Sequence, residues 1–340
     1  MTIAGLGAVA RESRKPLHIE EVAFRDPGPG EILVRLHASG VCHTDLHAID
    51  CDWPVKPSLP FIPGHEGVGI VVKAGRDVQS LKEGDRVGLP WLHTACGICE
   101  WCLTGWENLC PAAEYGGFVT NGSFAEYALA PAAFVGHIPA ALTDVEAAPI
   151  LCAGLSAWKA LKEAEVQAGQ WVAVLGVGGL GQMAIQFARH MGLHVAAIDT
   201  NARKLRRAEE LGAEITFNAR EGDTTERLQA AIGGAHGVIV TASNISAFRQ
   251  AVCMTRRRGT CVFLGLPPGE IALPLFDVVL KRLTIRGSIC GTREDLQEAL
   301  SVCADSGIRS LVQTQPLATA NDALDRLRAG RVPGRIVLTM

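Results

Sequence analysis

The stretch Trp171-Val172-Ala173-Val174-Leu175-Gly176-Val177-Gly178-Gly179-Leu180-Gly181 decides the fold of this chain. Its apolar run is the length of a strand buried on both faces, and it leads directly into a glycine-rich turn. A helical pattern follows through about residue 191. Gly176, Gly178 and Gly181 have the spacing G-x-G-x-x-G. The first glycine makes a tight turn, the second lets backbone approach a pyrophosphate, and the third lets helix and strand pack closely. With Gly179 and Leu180 opening the helix, its free N–H groups and partial positive charge would face the phosphates. Such a turn can also be purely structural, so the strand–turn–helix setting supplies the weight.

Downstream, strands at 194–198, 215–217, 237–240, 260–264 and 283–287 alternate with helices at 201–211, 224–232 and 247–257. Six alternating strands predict an α/β fold with a doubly wound parallel sheet. The second strand ends at Asp199. An acid there accepts hydrogen bonds from both adenosine ribose hydroxyls and repels a 2′-phosphate, so NAD is expected rather than NADP. A plain helix N-cap is the alternative role. The triplet Arg256-Arg257-Arg258 reads as a solvated helix end.

Upstream the rhythm differs. Turn signals such as Pro27-Gly28-Pro29-Gly30 and Gly116-Gly117 separate short apolar runs at 32–36, 67–72 and 124–129, which predicts an irregular β-rich domain. The expected division is 1–150 for this β-rich domain, 151–290 for the dinucleotide domain, and 291–340 for a tail. That tail has a helix at 294–304 and a last strand at 335–340 that returns to the first domain. A length of 340 residues suits two cores. A net charge of −3 offers no basic surface for nucleic acid, and no apolar stretch is long enough to span a membrane. Residues 1–10 are apolar before they are basic, the reverse of a secretory signal, so a cytoplasmic location is expected.

The 11 cysteines point to metal rather than disulfides in a chain of this size. Cys96, Cys99, Cys102 and Cys110 stand as C-x2-C-x2-C-x7-C, close enough to surround one tetrahedral zinc with no position left for substrate. An iron–sulfur cluster is the rival reading of that spacing. A second, dispersed set is Cys42, His65 and Cys152. Two thiolates and an imidazole leave a fourth position open, as a catalytic zinc requires, although spacing alone makes this grouping weak. Cys253, Cys261, Cys290 and Cys303 fall in apolar segments and read as buried packing residues.

At these residues the chain resembles the medium-chain zinc alcohol dehydrogenases, in particular the microbial branch acting on small primary alcohols. The likeness runs the whole length. It is most specific at Gly40 to His47, Pro63 to Gly69, Cys96 to Cys110, Ala148 to Gly154 and Gly176 to Gly181. The resemblance implies a GroES-like catalytic domain plus a Rossmann domain, NAD, and two zinc ions per chain, one catalytic and one structural. It implies Cys42, His65 and Cys152 as ligands of the catalytic zinc, with Glu66 an acid beside it and Asp45 on the far nitrogen of His65. Thr44 and His47 correspond to the proton relay, and His43 and Arg293 to pyrophosphate contacts. Asp199 and Lys204 correspond to the adenosine-ribose pair, and Trp53 and Trp91 to the walls of a narrow substrate pocket. The short segment between Cys110 and Phe124 resembles the tetrameric members, so a homotetramer is expected.

The family usually reads His-Gly-Asp-Trp-Pro where this chain has Asp50-Cys51-Asp52-Trp53-Pro54, which places an extra carboxylate and thiol near the expected pocket mouth. The alternative functions are a zinc-dependent polyol or glutathione-linked formaldehyde dehydrogenase, a zinc-free quinone or enoyl reductase of the same plan, and a zinc protein without catalysis.

Overall fold

The computed structural model describes residues 2–340; Met1, the first position of the expected first domain, lies outside them. The chain forms two compact units, one running to Leu155 and resuming as Cys290–Met340, the other Ser156–Ile289.

The second unit is a six-stranded parallel sheet. Its order is Ile215–Asn218, His194–Asp199, Trp171–Leu175, Ala235–Val240, Thr255–Phe263 and Thr284–Gly287. Trp171–Leu175 is central and buried almost throughout, because parallel strands are covered by helices on both faces. Order reverses beside this first strand, which is where open sheets of this kind bind ligand. One expectation fails here. The helix Ile245–Met254 stops before the arginine triplet, and Arg256, Arg257 and Arg258 open the strand Thr255–Phe263 instead. Arg256 lies against His236 and Arg257 donates to the carbonyl of Leu280, so tertiary partners override the helix-end pattern.

The first unit is built on a seven-stranded sheet. Its spine, Glu31–Val41, pairs antiparallel with Gly67–Ala74, Tyr127–Pro131 and Arg335–Thr339. The spine is buried along most of its length, with Arg35 the exposed interruption of its apolar residues. The register brings distant residues together. Ser39 stands opposite Gly67 and Val41 opposite Ile336. Cys42 at the end of the spine, His65-Glu66 just before the next strand, and Arg335 at the start of the last strand therefore converge at one end of the sheet.

Among the described residues, no helix is long and apolar enough to cross a membrane. Cys261 and Cys303 are buried as expected, whereas Cys253 and Cys290 are only half-buried.

Candidate metal centres and dinucleotide site

Cys42 ends the spine in an extended conformation and immediately precedes the helix His43–Asp50. The carboxylate of Asp45, in the first turn of that helix, accepts from the Cys42 amide at 2.8 Å, from the Gly64 amide at 3.2 Å, and from His65 Nδ1 at 3.0 Å. One buried carboxylate thus fixes both ligand segments and sets the tautomer of His65. The hydrogen is on Nδ1, so the Nε2 lone pair is left to face the cluster.

His65 Nε2 is buried and makes no hydrogen bond, and the same holds for Glu66 Oε2. Orphaned buried acceptors are costly, and they are what a metal ion would satisfy. The ligand atoms of Cys42, His65, Glu66 and Cys152 all lie within 4.8 Å of one another, and all four residues are buried. The sulfurs of Cys42 and Cys152 are 3.9 Å apart. Zn–S bonds in a tetrahedron put two sulfurs about 3.8 Å apart, against about 2 Å for a disulfide. The donor set fits zinc.

The electrostatics agree. Burial opposes charge on His65, but the Asp45 carboxylate and the Cys42 sulfur outweigh it and raise its basicity well above the ordinary value. The hydrogen bond from Cys152 holds the Cys42 thiol well below its ordinary range against burial, which favours the thiolate form that a cation binds. Replacing Asp45 by Asn is expected to lower zinc affinity at this centre about 10- to 100-fold. Metal-buffered titration checks this, and an unchanged affinity would release Asp45 from the role.

Arg335 is a member of this centre that the sequence reading missed. Its guanidinium is buried and ion-paired with Glu66 Oε1. Burial would depress its pKa, but Glu66 and the nearby thiols more than compensate and hold it protonated. Burial in turn lifts Glu66 to about 7 even beside this cation. Gly40 makes the room, since a Cβ there would stand 1.8 Å from Glu66 Oε2. The available signal was an arginine opening an otherwise apolar strand.

An aromatic wall stands against the imidazole of His65. Trp91 meets that ring edge-on at 5.1 Å, Trp53 lies 6.4 Å from Trp91, and Phe118 lies 5.9 and 5.7 Å from Trp53 and Trp91. Tyr115 stacks behind Trp91 at 5.0 Å. Trp53 and Trp91 were expected in the wall; Phe118 and Tyr115 were not singled out, because nothing local in Glu114-Tyr115-Gly116-Gly117-Phe118 marks them. Thr44 and His47 are three residues apart on the helix His43–Asp50 and so share a face, and both are half-buried. His43 beside them is exposed.

The extra groups in the departing segment turn away from the wall. Asp50 binds Arg328 at 3.0 and 3.2 Å, and the Cys51 thiol donates to the carbonyl of Ala48.

In the four-cysteine lobe the ligand sulfurs also lie within 4.8 Å of one another. Cys99 and Cys102 are 3.6 Å apart, and Cys96 and Cys102 4.0 Å apart, again the spacing of a shared tetrahedral ion. The amides of Ile98 and Cys99 donate to the Cys96 sulfur and lower its pKa to about 6. Glu107, between the third and fourth cysteines, accepts from Arg293 Nε at 2.8 Å, from Nη2 at 2.6 Å and from its backbone N–H at 2.9 Å. The third guanidinium nitrogen donates to Ala133, and Phe134 lies under the group at 4.6 Å. Arg293 is thus tied to the lobe with its side chain still exposed, and its guanidinium keeps N–H donors beyond these contacts.

In the other unit, Gly176 has a φ of +97°, and a Cβ on Gly181 would stand 1.9 Å from the Gly176 carbonyl oxygen. The first and third glycines are therefore required by the turn and by the helix–strand approach. Gly178 caps the helix Gly179–His190 and faces open space. Asp199 accepts from the Val177 amide at 2.7 Å, which ties it to the glycine turn, and Lys204 Nζ lies 4.0 Å away. The N-cap of the following helix Ala202–Glu210 is Asn201, so the capping alternative for Asp199 does not hold.

Residues 28–140 match the Alcohol dehydrogenase GroES-like domain, and residues 179–305 match the Zinc-binding dehydrogenase family. An alcohol dehydrogenase of Rhizobium meliloti (strain 1021) is 53% identical over 333 residues, 98% of either chain. The chain belongs to the medium-chain zinc alcohol dehydrogenases. Among solved members of similar fold is the alcohol dehydrogenase of the archaeon Aeropyrum pernix, with 31% identity, a TM-score of 0.91, and coverage of 98% of this chain and 100% of that one. Another is an acetophenone reductase of Geotrichum candidum solved with NAD, with 28% identity, a TM-score of 0.88, and coverage of 99% and 97%. The buried cysteine and histidine cluster could hold the zinc, and the glycine turn the dinucleotide, that such a family uses.

Proposed function

We propose that the chain is an NAD-linked alcohol dehydrogenase that interconverts small primary alcohols and their aldehydes. The observation that carries this is the buried Cys42, His65 and Cys152 set, with an orphaned imidazole nitrogen, under a wall of Trp53, Trp91 and Phe118. Zinc held there would act as a Lewis acid toward the alcohol oxygen, and NAD would take the hydride.

The chain's own residues do the rest. Asp45 holds His65 in the tautomer that binds metal. Thr44 accepts the alcohol proton and passes one on, and His47 delivers it to solvent, so the alcohol loses a hydride and a proton in all. The aromatic wall excludes water and bulky groups from the reacting carbon. Asp199 and Lys204 take the adenosine ribose, and the amides of Gly178, Gly179 and Leu180 take the pyrophosphate; His43 is proposed as a further pyrophosphate contact.

A homotetramer is proposed as well. Leu275, Phe276, Val279 and Leu280 are exposed on one helix, and Thr284–Gly287 leaves a sheet edge open, both of which a second copy would cover. The absence of a disulfide among the described cysteines favours the reducing cytoplasm.

The deciding experiment is initial rates on primary, secondary, aromatic and polyol alcohols with NAD and with NADP, for the wild type and Asp199→Gly. The expected result is NAD-linked turnover greatest for short primary alcohols, with the NAD preference falling at least tenfold in Asp199→Gly. Preference for polyols or bulky alcohols would overturn the pocket reading, and unchanged discrimination in the variant would remove Asp199 as the selector.

A further inference from the structure

We propose that Asp52 is the positioning residue of the relay histidine, holding His47 in the one tautomer that can take a proton from inside. The proposal rests on the relay through Thr44 and His47 given above. The helix carrying both residues ends at Asp50, and Cys51 adopts a left-handed conformation, φ 52° and ψ 38°. That reversal folds the chain back over the last turn. Continued as helix, Asp52 would project away from His47, five positions earlier. Instead its amide donates to the His47 carbonyl at 3.4 Å, and its carboxylate Oδ1 lies 2.8 Å from His47 Nδ1.

A carboxylate only accepts, so the hydrogen in that contact belongs to Nδ1. A neutral imidazole has one N–H, which leaves Nε2 with its lone pair free to accept. Trp53 stacks on the same ring at 5.0 Å with 20° between planes, which restrains rotation of the imidazole. Asp52 and Trp53 therefore fix ring orientation and tautomer together, as a relay needs. The two acids on the helix do not compete: Asp45 is engaged by His65 and the amides of Cys42 and Gly64, and Asp50 by Arg328 of the helix Ala320–Arg328.

The test reads the tautomer directly. In zinc-loaded protein without cofactor or substrate, nitrogen-15 NMR of the His47 ring, at a pH where it is neutral, is expected to show a protonated Nδ1 and a bare Nε2. Asp52→Glu, whose carboxylate can still only accept, should keep that tautomer, whereas Asp52→Ala should lose it. Turnover should follow: about a tenfold lower kcat in Asp52→Ala with little change in KM, and within about threefold of wild type in Asp52→Glu. A wild-type ring protonated on Nε2, or a tautomer indifferent to Asp52→Ala, overturns the proposal. If the tautomer moves and kcat does not, the relay through His47 falls, and with it the catalytic role of Asp52, while the metal and dinucleotide assignments stand.

Discussion

Cys42→Ala is expected to lower turnover on the order of a thousandfold or more, about 4 kcal/mol of barrier, while the fold remains intact. The thiol is one of the three proposed metal donors, and the fourth acceptor of the cluster, Glu66, is held by Arg335. The fold should survive because the local structure depends on the backbone of Cys42: its amide, not its sulfur, bonds Asp45 at 2.8 Å. The centre lies at the end of a sheet whose pairing the substitution does not touch. Zinc content should fall from two ions per chain to one with an unchanged circular dichroism spectrum. Cys102→Ala removes a sulfur from the other lobe and should show the opposite balance, a large loss of thermal stability with a smaller loss of rate per folded molecule. Retention of most activity by Cys42→Ala would remove the catalytic zinc assignment.

Arg335→Met is expected to destabilise the protein by about 3–5 kcal/mol at pH 8, since it leaves the Glu66 carboxylate buried without its cation. The loss should shrink as the pH falls. Burial already raises Glu66 to about 7 with Arg335 present, and without the guanidinium its folded pKa rises further. A carboxyl whose folded pKa exceeds its unfolded value near 4.5 favours the folded state only while protonated, so the variant loses stability as pH rises through that interval. The double variant Glu66→Gln/Arg335→Met removes both charges and should recover most of the stability at pH 8. Denaturant unfolding at pH 6 and pH 8 checks this. A single variant within 0.5 kcal/mol of wild type at pH 8 would mean that the pair is not an obligatory buried couple.

The two predictions differ in what the sequence offered. Cys42 could be singled out because its neighbours Gly40 to His47 form a recognisable pattern, and its chemistry is written in its residue type. Arg335 carries no such mark. Its importance arises because the last strand returns antiparallel to the spine and sets Ile336 against Val41, so that an arginine at one end of the chain meets a glutamate some 270 residues earlier.

The sequence by itself determined the parts whose physics is local. The glycine spacing after Trp171–Leu175 specified a turn, a helix start and a phosphate cradle, because positive φ and close backbone approach admit only glycine. The four closely spaced cysteines pointed to a metal, because only short loops need close for their thiolates to share one ion. Strand and helix alternation specified the parallel sheet. Tertiary structure decided everything that depends on long-range pairing. Sheet register gathered Cys42, His65 and Arg335 at one end of the sheet, the packing of Tyr115 and Phe118 completed the aromatic wall, and Glu107 drew Arg293 to the four-cysteine lobe. The arginine triplet became a strand for the same reason: its partners, His236 and Leu280, are distant in sequence. Local pattern sets which elements form, and the free energy of burying and pairing their side chains sets which residues meet.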